Sequence, residues 1–269
     1  MSTTQVAARA MARTVVLIWL LVAVGASVWP PPATTVSLAG ILAPPGVEAI
    51  LGRDDLGRPV LARLTAGARI SLLVAVVVVG VTALVGTLIG LTAGWIGGLV
   101  DTLLVGVTDI FLAFPGILLA IALAGVLGPG IANVMTALSV VGWVGFARLA
   151  RAQTLSIKQR DHVQIAHALG VRAPLIVWRH VLPLIAGPLI VEASVAFAAV
   201  IVAEAGLSFL GLGVQPPTPS WGSMIRDGSR YLLVAPHLVI VPGVALASLV
   251  VAINLLGDQL RDRCQPHRP

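Results

Sequence analysis

Charge is scarce in this sequence. Asp, Glu, Lys and Arg make up only 10% of its 269 residues, and 58% are hydrophobic. Soluble domains carry roughly 25% charged residues. A soluble fold of this size cannot hide so much apolar surface, so a bilayer must be part of its solvent. Cysteine is nearly absent. Cys264 stands alone, which excludes an internal disulfide and a cysteine-based metal site. Lysine is equally rare. Lys158 is the only one and follows Ile157, so no G-x-x-x-x-G-K-[ST] phosphate loop exists. Without that loop the chain has no such means of holding ATP, and any ATP-derived energy must come from another polypeptide. The net charge of +6 points to basic loops that orient a membrane protein more than to nucleic acid.

Long apolar runs are plentiful. A span needs about 20 mostly apolar residues. The first runs from about Ala12 to Trp29, with Arg13 at the headgroups and Pro30-Pro31-Pro32 closing it. Arg9 and Arg13 before an apolar run also fit a signal peptide, but no A-x-A cleavage site follows and more spans come after. A second span begins at Ile70, and no charge appears through Val100. Gly86, Gly90, Gly94 and Gly98 recur every four residues there, a spacing that lets another backbone approach one helix face. Ile110 to Ala147 is a further uncharged stretch of 38 residues. As one helix it would measure ~57 Å, against ~30 Å of hydrocarbon. Gly128-Pro129-Gly130 divides it into spans at about Thr102–Leu127 and Ile131–Leu149. A fifth span is expected at about Leu184–Ala205 and a sixth at His237–Gly257. The expected fold is therefore all-α and polytopic. An N-terminal helix and external loop fill 1–68, a five-helix core with a polar loop at 150–183 fills 69–260, and a basic tail fills 261–269.

Six spans leave both termini on one side. That side collects Arg9, Arg13, the six basic residues between Arg148 and Arg179, and Arg261, Arg263 and Arg268. The opposite side holds Arg53, Arg58, Arg63, Arg69, Arg226 and Arg230, partly neutralised by Glu48, Asp54 and Asp55. The positive-inside rule then predicts cytoplasmic termini and a cytoplasmic 148–179 loop.

That loop holds the most informative segment. Asp161 fits a helix N-cap, with Gln164 three residues on as in a capping box. Gly170 fits the left-handed position past a helix end, and Pro174 forbids continuation. A two-turn helix over about His162–Leu169 is expected, with Val163, Ala166 and Leu169 on one apolar face. Periodicity alone allows that face to pack on the chain's own spans or to meet a partner.

The same residues resemble a known motif. Permease subunits of binding-protein-dependent ATP-binding-cassette importers carry E-A-A-x3-G-x9-I-x-L-P. This sequence reads Gln164-Ile165-Ala166-His167-Ala168-Leu169-Gly170, then His180-Val181-Leu182-Pro183. Ala166, Gly170, Leu182 and Pro183 match, while Gln164, Ile165 and His180 depart from the pattern. Further blocks resemble the C-type permeases of dipeptide and oligopeptide importers, the peptide/nickel subfamily. These are Leu51 to Arg58 with Arg63, Gly67, Arg69 and Ser71; Asp109 with Leu112 to Pro115; Glu204 to Gly213; Pro216 to Gly222; and Asn254 to Asp262.

The resemblance implies the type I importer permease fold in a bacterial plasma membrane. It implies a second permease subunit, two ATPase subunits that bind ATP and Mg, and an extracytoplasmic peptide-binding protein. Asp161, Gln164, Ala166, Leu169, Gly170, Leu182 and Pro183 would then couple to the ATPase, with Gly170 and Leu182-Pro183 as corners of a lever. The external loops at 48–69 and Gly206–Pro236 would receive the binding protein, with Arg58, Gln215 and Trp221 as candidate contacts. Trp221 and Tyr231 equally fit an aromatic belt at the membrane interface. Three acids fall within the expected spans: Asp109, Glu192 and Glu204. Carboxylates there are costly and mark a path, a partner contact or a backbone cap. No metal site is expected, since His162 and His167 do not share a helix face. A proton-coupled secondary transporter using the three acids is the competing reading, and it leaves the capped helix unexplained. Nickel chelates and glutathione are alternative cargoes within the importer class.

Overall fold

A computed structural model describes residues 3–47 and 49–264. The chain is all-helical, and among the described residues the one β-bridge, Arg53 with Pro59, is isolated. In order the helices are α1 (Thr3–Val28), α2 (Val60–Ile96), α3 (Gly98–Leu112), α4 (Gly116–Leu127), α5 (Ile131–Lys158), α6 (Asp161–Ala168), α7 (Ala173–Ile176), α8 (Leu182–Phe209), α9 (Trp221–Ser229) and α10 (His237–Cys264). The tail beyond Cys264 lies outside the described residues, as does Glu48.

The expected third span, Thr102–Leu127, is not one rod. It is the pair α3 and α4, bent by 82°. Pro115 is the cause. Proline disfavours helical backbone in the residue before it and offers no N–H, so α3 stops at Leu112 and α4 starts at Gly116. Neither piece can cross alone, at roughly 22 and 18 Å. Together they make one crossing, because α2 and α5 lie side by side and run the same way. Gly86 meets Trp143, Gly90 meets Ala147, and Gly94 meets Arg151 and Thr154. Two parallel neighbours require the chain between them to return across the membrane, and only α3 and α4 lie between. The chain therefore crosses six times, as its apolar runs predict.

Gly86, Gly90 and Gly94 let this happen. A Cβ at each would run into the carbonyl of Trp143, Ala147 or Arg151. The fourth glycine of the expected stripe, Gly98, does not join them. It adopts φ +57° at the start of α3, with open space around it.

Two other boundaries move. Helix α2 begins at Val60, ten residues before the apolar run, so Arg63 and Arg69 are helical and not in a loop. Helix α5 continues through Arg148 and Arg151 to Lys158. Its last turn is fastened to the end of α2, since Lys158 donates to the Trp95 carbonyl at 2.6 Å. That carbonyl is one of the orphan acceptors of a helix C-terminus.

The two ends of the described chain share a face. Helices α1 and α10 are antiparallel, with Trp19 donating to Ser248, Arg13 to Gln259, and Arg9 to Asp262 at 2.8 Å. The ends of α2 and α5, all of α6 and the start of α8 lie on that same face. The opposite face holds residues 29–47 and 49–59, the α4–α5 turn and the 210–236 segment.

Candidate functional site

The loop between α5 and α8 is built around α6. Its N-cap is Arg160, one residue earlier than expected, and Asp161 stands in the first turn without a side-chain cap bond. Gln164 turns back to Gln159, with contacts of 3.4 and 3.5 Å, so no capping box forms. The C-terminal expectation fits the geometry closely. Gly170 takes φ +79° and donates to the His167 carbonyl, while Val171 donates to that of Ala166. This is the Schellman arrangement, and the left-handed residue suits glycine. Leu182-Pro183 is not a corner. Helix α7, a π-turn over Val177–Val181 and α8 run on without a break. Pro183 cannot donate a backbone bond, and the wider π-turn just before it absorbs the mismatch.

The expected apolar face of α6 splits in two. Val163 is buried and packs with Ala166 and Val171 against Ile157, Ile176 and Ile185. Leu169 instead points away, 78% exposed, together with Ile165. Around them Arg160, Arg172 and Arg179 are exposed, and so is Trp178. The helix is thus anchored on one side and offers an apolar and basic surface on the other.

The three intramembrane acids have different surroundings. Glu204 is 1% exposed and accepts from Ser71 at 2.9 Å and Ser208 at 2.7 Å. Ser208 in turn accepts the Val214 N–H. This carboxylate pins α8 to α2 and to the loop that follows. Glu192 is half-buried against Gly145 of α5 and makes no hydrogen bond or ion pair among the described residues. Asp109 is exposed on α3, one turn before the break at Pro115.

A cavity of about 710 Å³ opens between α4, α5, α8 and α10. Its walls include Gly116, Leu138, Gly142, Val195, Ala199, Val202 and Gly206, with Asn254 as the one polar side chain. Sequence reasoning missed this surface. Only the run of small residues along α8, Ala198-Ala199 to Gly206, hints at it.

Two of the three candidate docking residues are structural. Trp221 is fully buried, stacks edge-on against Trp19 at 4.9 Å, and donates to the Leu64 carbonyl. Arg58 is buried, with its Nε 2.6 Å from Asp54. Asp54 also accepts the N–H groups of Leu56 and Arg58 and pairs with Arg63, so it organises the 52–60 turn. Gln215 is exposed, and its amide donates to the carbonyls of Gly211 and Gly213. Neither Arg58 nor Trp221 offers a free side chain to an incoming protein. On this face the exposed apolar groups include Trp29, Leu38, Val47 and Ile50 of the first outer segment and Leu232, Leu233 and Val234 of the second.

A family profile described as the inner membrane component of binding-protein-dependent transport systems matches residues 86–268. The chain belongs to this family. Its matched region begins at the α2 glycine stripe and includes α6, the cavity and both Glu192 and Glu204. Among its relatives, a glutathione transport system permease protein, GsiD, from Pectobacterium atrosepticum is 42% identical over 216 residues. That alignment covers 80% of this chain and 72% of the relative. A dipeptide transport system permease protein, DppC, from Alkalihalophilus pseudofirmus is 39% identical over 222 residues, covering 82% and 73%. Among solved structures, inward-facing conformations of the MetNI methionine ABC transporter share the fold, with a TM-score of 0.61 and 18% identity over 77% of this chain and 98% of that one. This permease is accordingly a transport subunit of an inner membrane, and its family implies ATPase and substrate-binding partners. Within the fold, α6 is a short helix anchored to the spans through Val163, and the cavity opens between four of the membrane helices.

Proposed function

We propose that this permease forms half of the translocation path of an ATP-driven importer of di- or oligopeptides, glutathione included. The other half is a second permease subunit, and two partner ATPase subunits bind ATP and Mg. The permease itself performs no catalysis and holds no cofactor. Both termini and α6 face the cytoplasm, and the 29–59 and 210–236 segments face an extracytoplasmic binding protein. The excess of basic residues on the α6 face supports that orientation.

The observation that carries the reading is the two-faced α6. Val163 ties it to Ile176 at the end of α7 and Ile185 in the first turn of α8, while Ile165 and Leu169 are left outward. A force applied to Leu169 is delivered to α8 through Val163 and Val171. Helix α8 lines the cavity, so docking there moves the path between inward-open and outward-open states. Within this scheme Leu169 and Ile165 touch the ATPase, Gly170 sets the exit angle, and Asp161, Gln164 and Ala166 shape the helix. Leu182 and Pro183 act as part of the rigid helix carrying the motion. Asp109, exposed beside the bend, faces the second permease subunit. Gln215 and the exposed Leu233 contribute to the outer docking surface.

Gly170→Asp and Leu169→Ser test this. Aspartate at φ +79° is strained by roughly 1 kcal/mol or more, which turns the exit of α6 without touching the spans. Both variants are expected to insert normally and to lose coupled uptake, either by failing to bind the ATPase or by hydrolysing ATP without transport. Normal uptake per ATP hydrolysed in both would refute the lever.

A further inference from the structure

One turn inward of the cavity lining on α8 stands a carboxylate, Glu192, that is not itself part of the lining. Along α8 the residues 195, 199, 202 and 206 face the opening at alternating steps of four and three, and each is exposed. Stepping back by three from Val195 reaches Glu192, so the acid continues the same stripe one turn closer to the α6 face. The opposing wall agrees. On α5, Gly142 lines the cavity and Gly145 is the next residue on that face. A Cβ at Gly145 would lie 2.9 Å from Glu192 Oε1, so the missing side chain is what leaves room for the carboxylate. Asn254 of α10 lines the same end. Contact between Gly257 and Ser194 fixes α10 at this depth beside α8.

Among the described residues Glu192 has no compensating partner. It makes no hydrogen bond or ion pair, unlike Glu204 with its two serine hydroxyls. Arg148 lies one turn beyond Gly145 on α5, exposed and without an ion pair to Glu192. An unpaired carboxylate at membrane depth is unfavourable unless a cation or water meets it during function. The rest of the cavity wall is apolar apart from Asn254, so it can accept varied side chains but cannot orient a cargo.

We infer that Glu192 is a cargo-binding residue: its carboxylate receives a primary ammonium group of the passing substrate, with Asn254 as a second polar contact. The inference rests on the importer reading above. It assigns the cavity a polarity. The amine end of a peptide is held at the cytoplasmic end of the path, and the remainder lies against the apolar wall.

The test uses the complete complex, with its own second permease, ATPases and binding protein, in proteoliposomes. The probes are alanyl-alanine and propionyl-alanine, which has the same backbone without the amine. For each probe, uptake by Glu192→Gln is divided by uptake by the unaltered complex, which cancels any preference of the binding protein. The amine-bearing probe is expected to lose about tenfold, the scale of one charge-assisted hydrogen bond, and propionyl-alanine little. Equal losses for both, or a loss that vanishes in an Arg148→Gln background, would overturn the assignment. A second readout does not depend on delivery of the uncharged probe. Under ATP turnover, carbodiimide activates the Glu192 carboxyl, and attack by the dipeptide amine forms an amide with release of the urea. The expected product is a dipeptide adduct on the Glu192 fragment that is lost in Glu192→Gln. A carbodiimide cross-link from Glu192 to the second permease, or no adduct despite active uptake, would refute the role. Absence of ATP-driven uptake of every cargo by the unaltered complex would instead count against the importer reading.

Discussion

Replacing Gly90 by alanine adds one methyl group at the close seam between α2 and α5. That methyl would meet the Ala147 carbonyl oxygen of α5 head-on, with the carbonyl carbon and the Ala150 Cβ each 2.9 Å away. Most of these atoms are backbone, so no side chain can rotate aside. Overpacking of this kind costs about 1–3 kcal/mol, and alanine's better helix propensity returns up to about 1 kcal/mol. Gly80 lies on the same helix with nothing within 4 Å of its would-be Cβ. Gly80→Ala should therefore receive the propensity gain alone. The two variants differ in composition by the same methyl, and the structure separates them by about 1–3 kcal/mol. Denaturation in detergent, followed by circular dichroism, measures both. Gly90→Ala is expected to unfold earlier than the unaltered chain and Gly80→Ala at the same point or later. Equal midpoints would refute the parallel packing of α2 on α5, and with it the argument that α3 and α4 make one crossing.

Glu204→Ala should cost roughly 1–3 kcal/mol for each serine hydroxyl left without its acceptor. It should also loosen the 210–220 segment, seen as faster limited proteolysis there, whereas Glu204→Gln should be milder. Arg151 and Asp101 join α5 to α3 through two hydrogen bonds, one of them 2.7 Å. Asp101→Asn is expected to lower stability by up to about 1 kcal/mol, since both side chains are partly exposed, and the exchange Asp101→Arg with Arg151→Asp should recover part of it in the same melt.

Much of this was legible in the residues. Apolar runs gave six crossings because a bilayer imposes a fixed length on each. Gly170 announced its left-handed turn because few other residues take that conformation cheaply. The glycine spacing on α2 announced close packing, although it could not name α5 as the neighbour. Other features depend on contacts between distant segments. Trp221 and Arg58 lie in Gly- and Pro-rich segments that composition marks as exposed, yet tertiary packing buries them against Trp19 and Asp54. Pro183 reads as a helix start in sequence, and only the π-turn before it reveals a continuous rod. The bend at Pro115 was readable from that proline but was masked by the unbroken hydrophobicity on both sides. Glu192 and Glu204 are the same residue type on the same helix. Ser208, one turn along the same helix, is a local difference, but Ser71 of α2 and Gly145 of α5 are neighbours that no local pattern contains.

The central claim is that this permease moves peptide when a partner ATPase pulls on α6. Its most direct test is uptake of a labelled dipeptide into proteoliposomes holding the complete complex, with ATP inside or outside and with or without a proton gradient. Uptake is expected only when ATP reaches the α6 face, with no dependence on the gradient and with loss of transport in Leu169→Ser. Uptake driven by a proton gradient without ATP would contradict it.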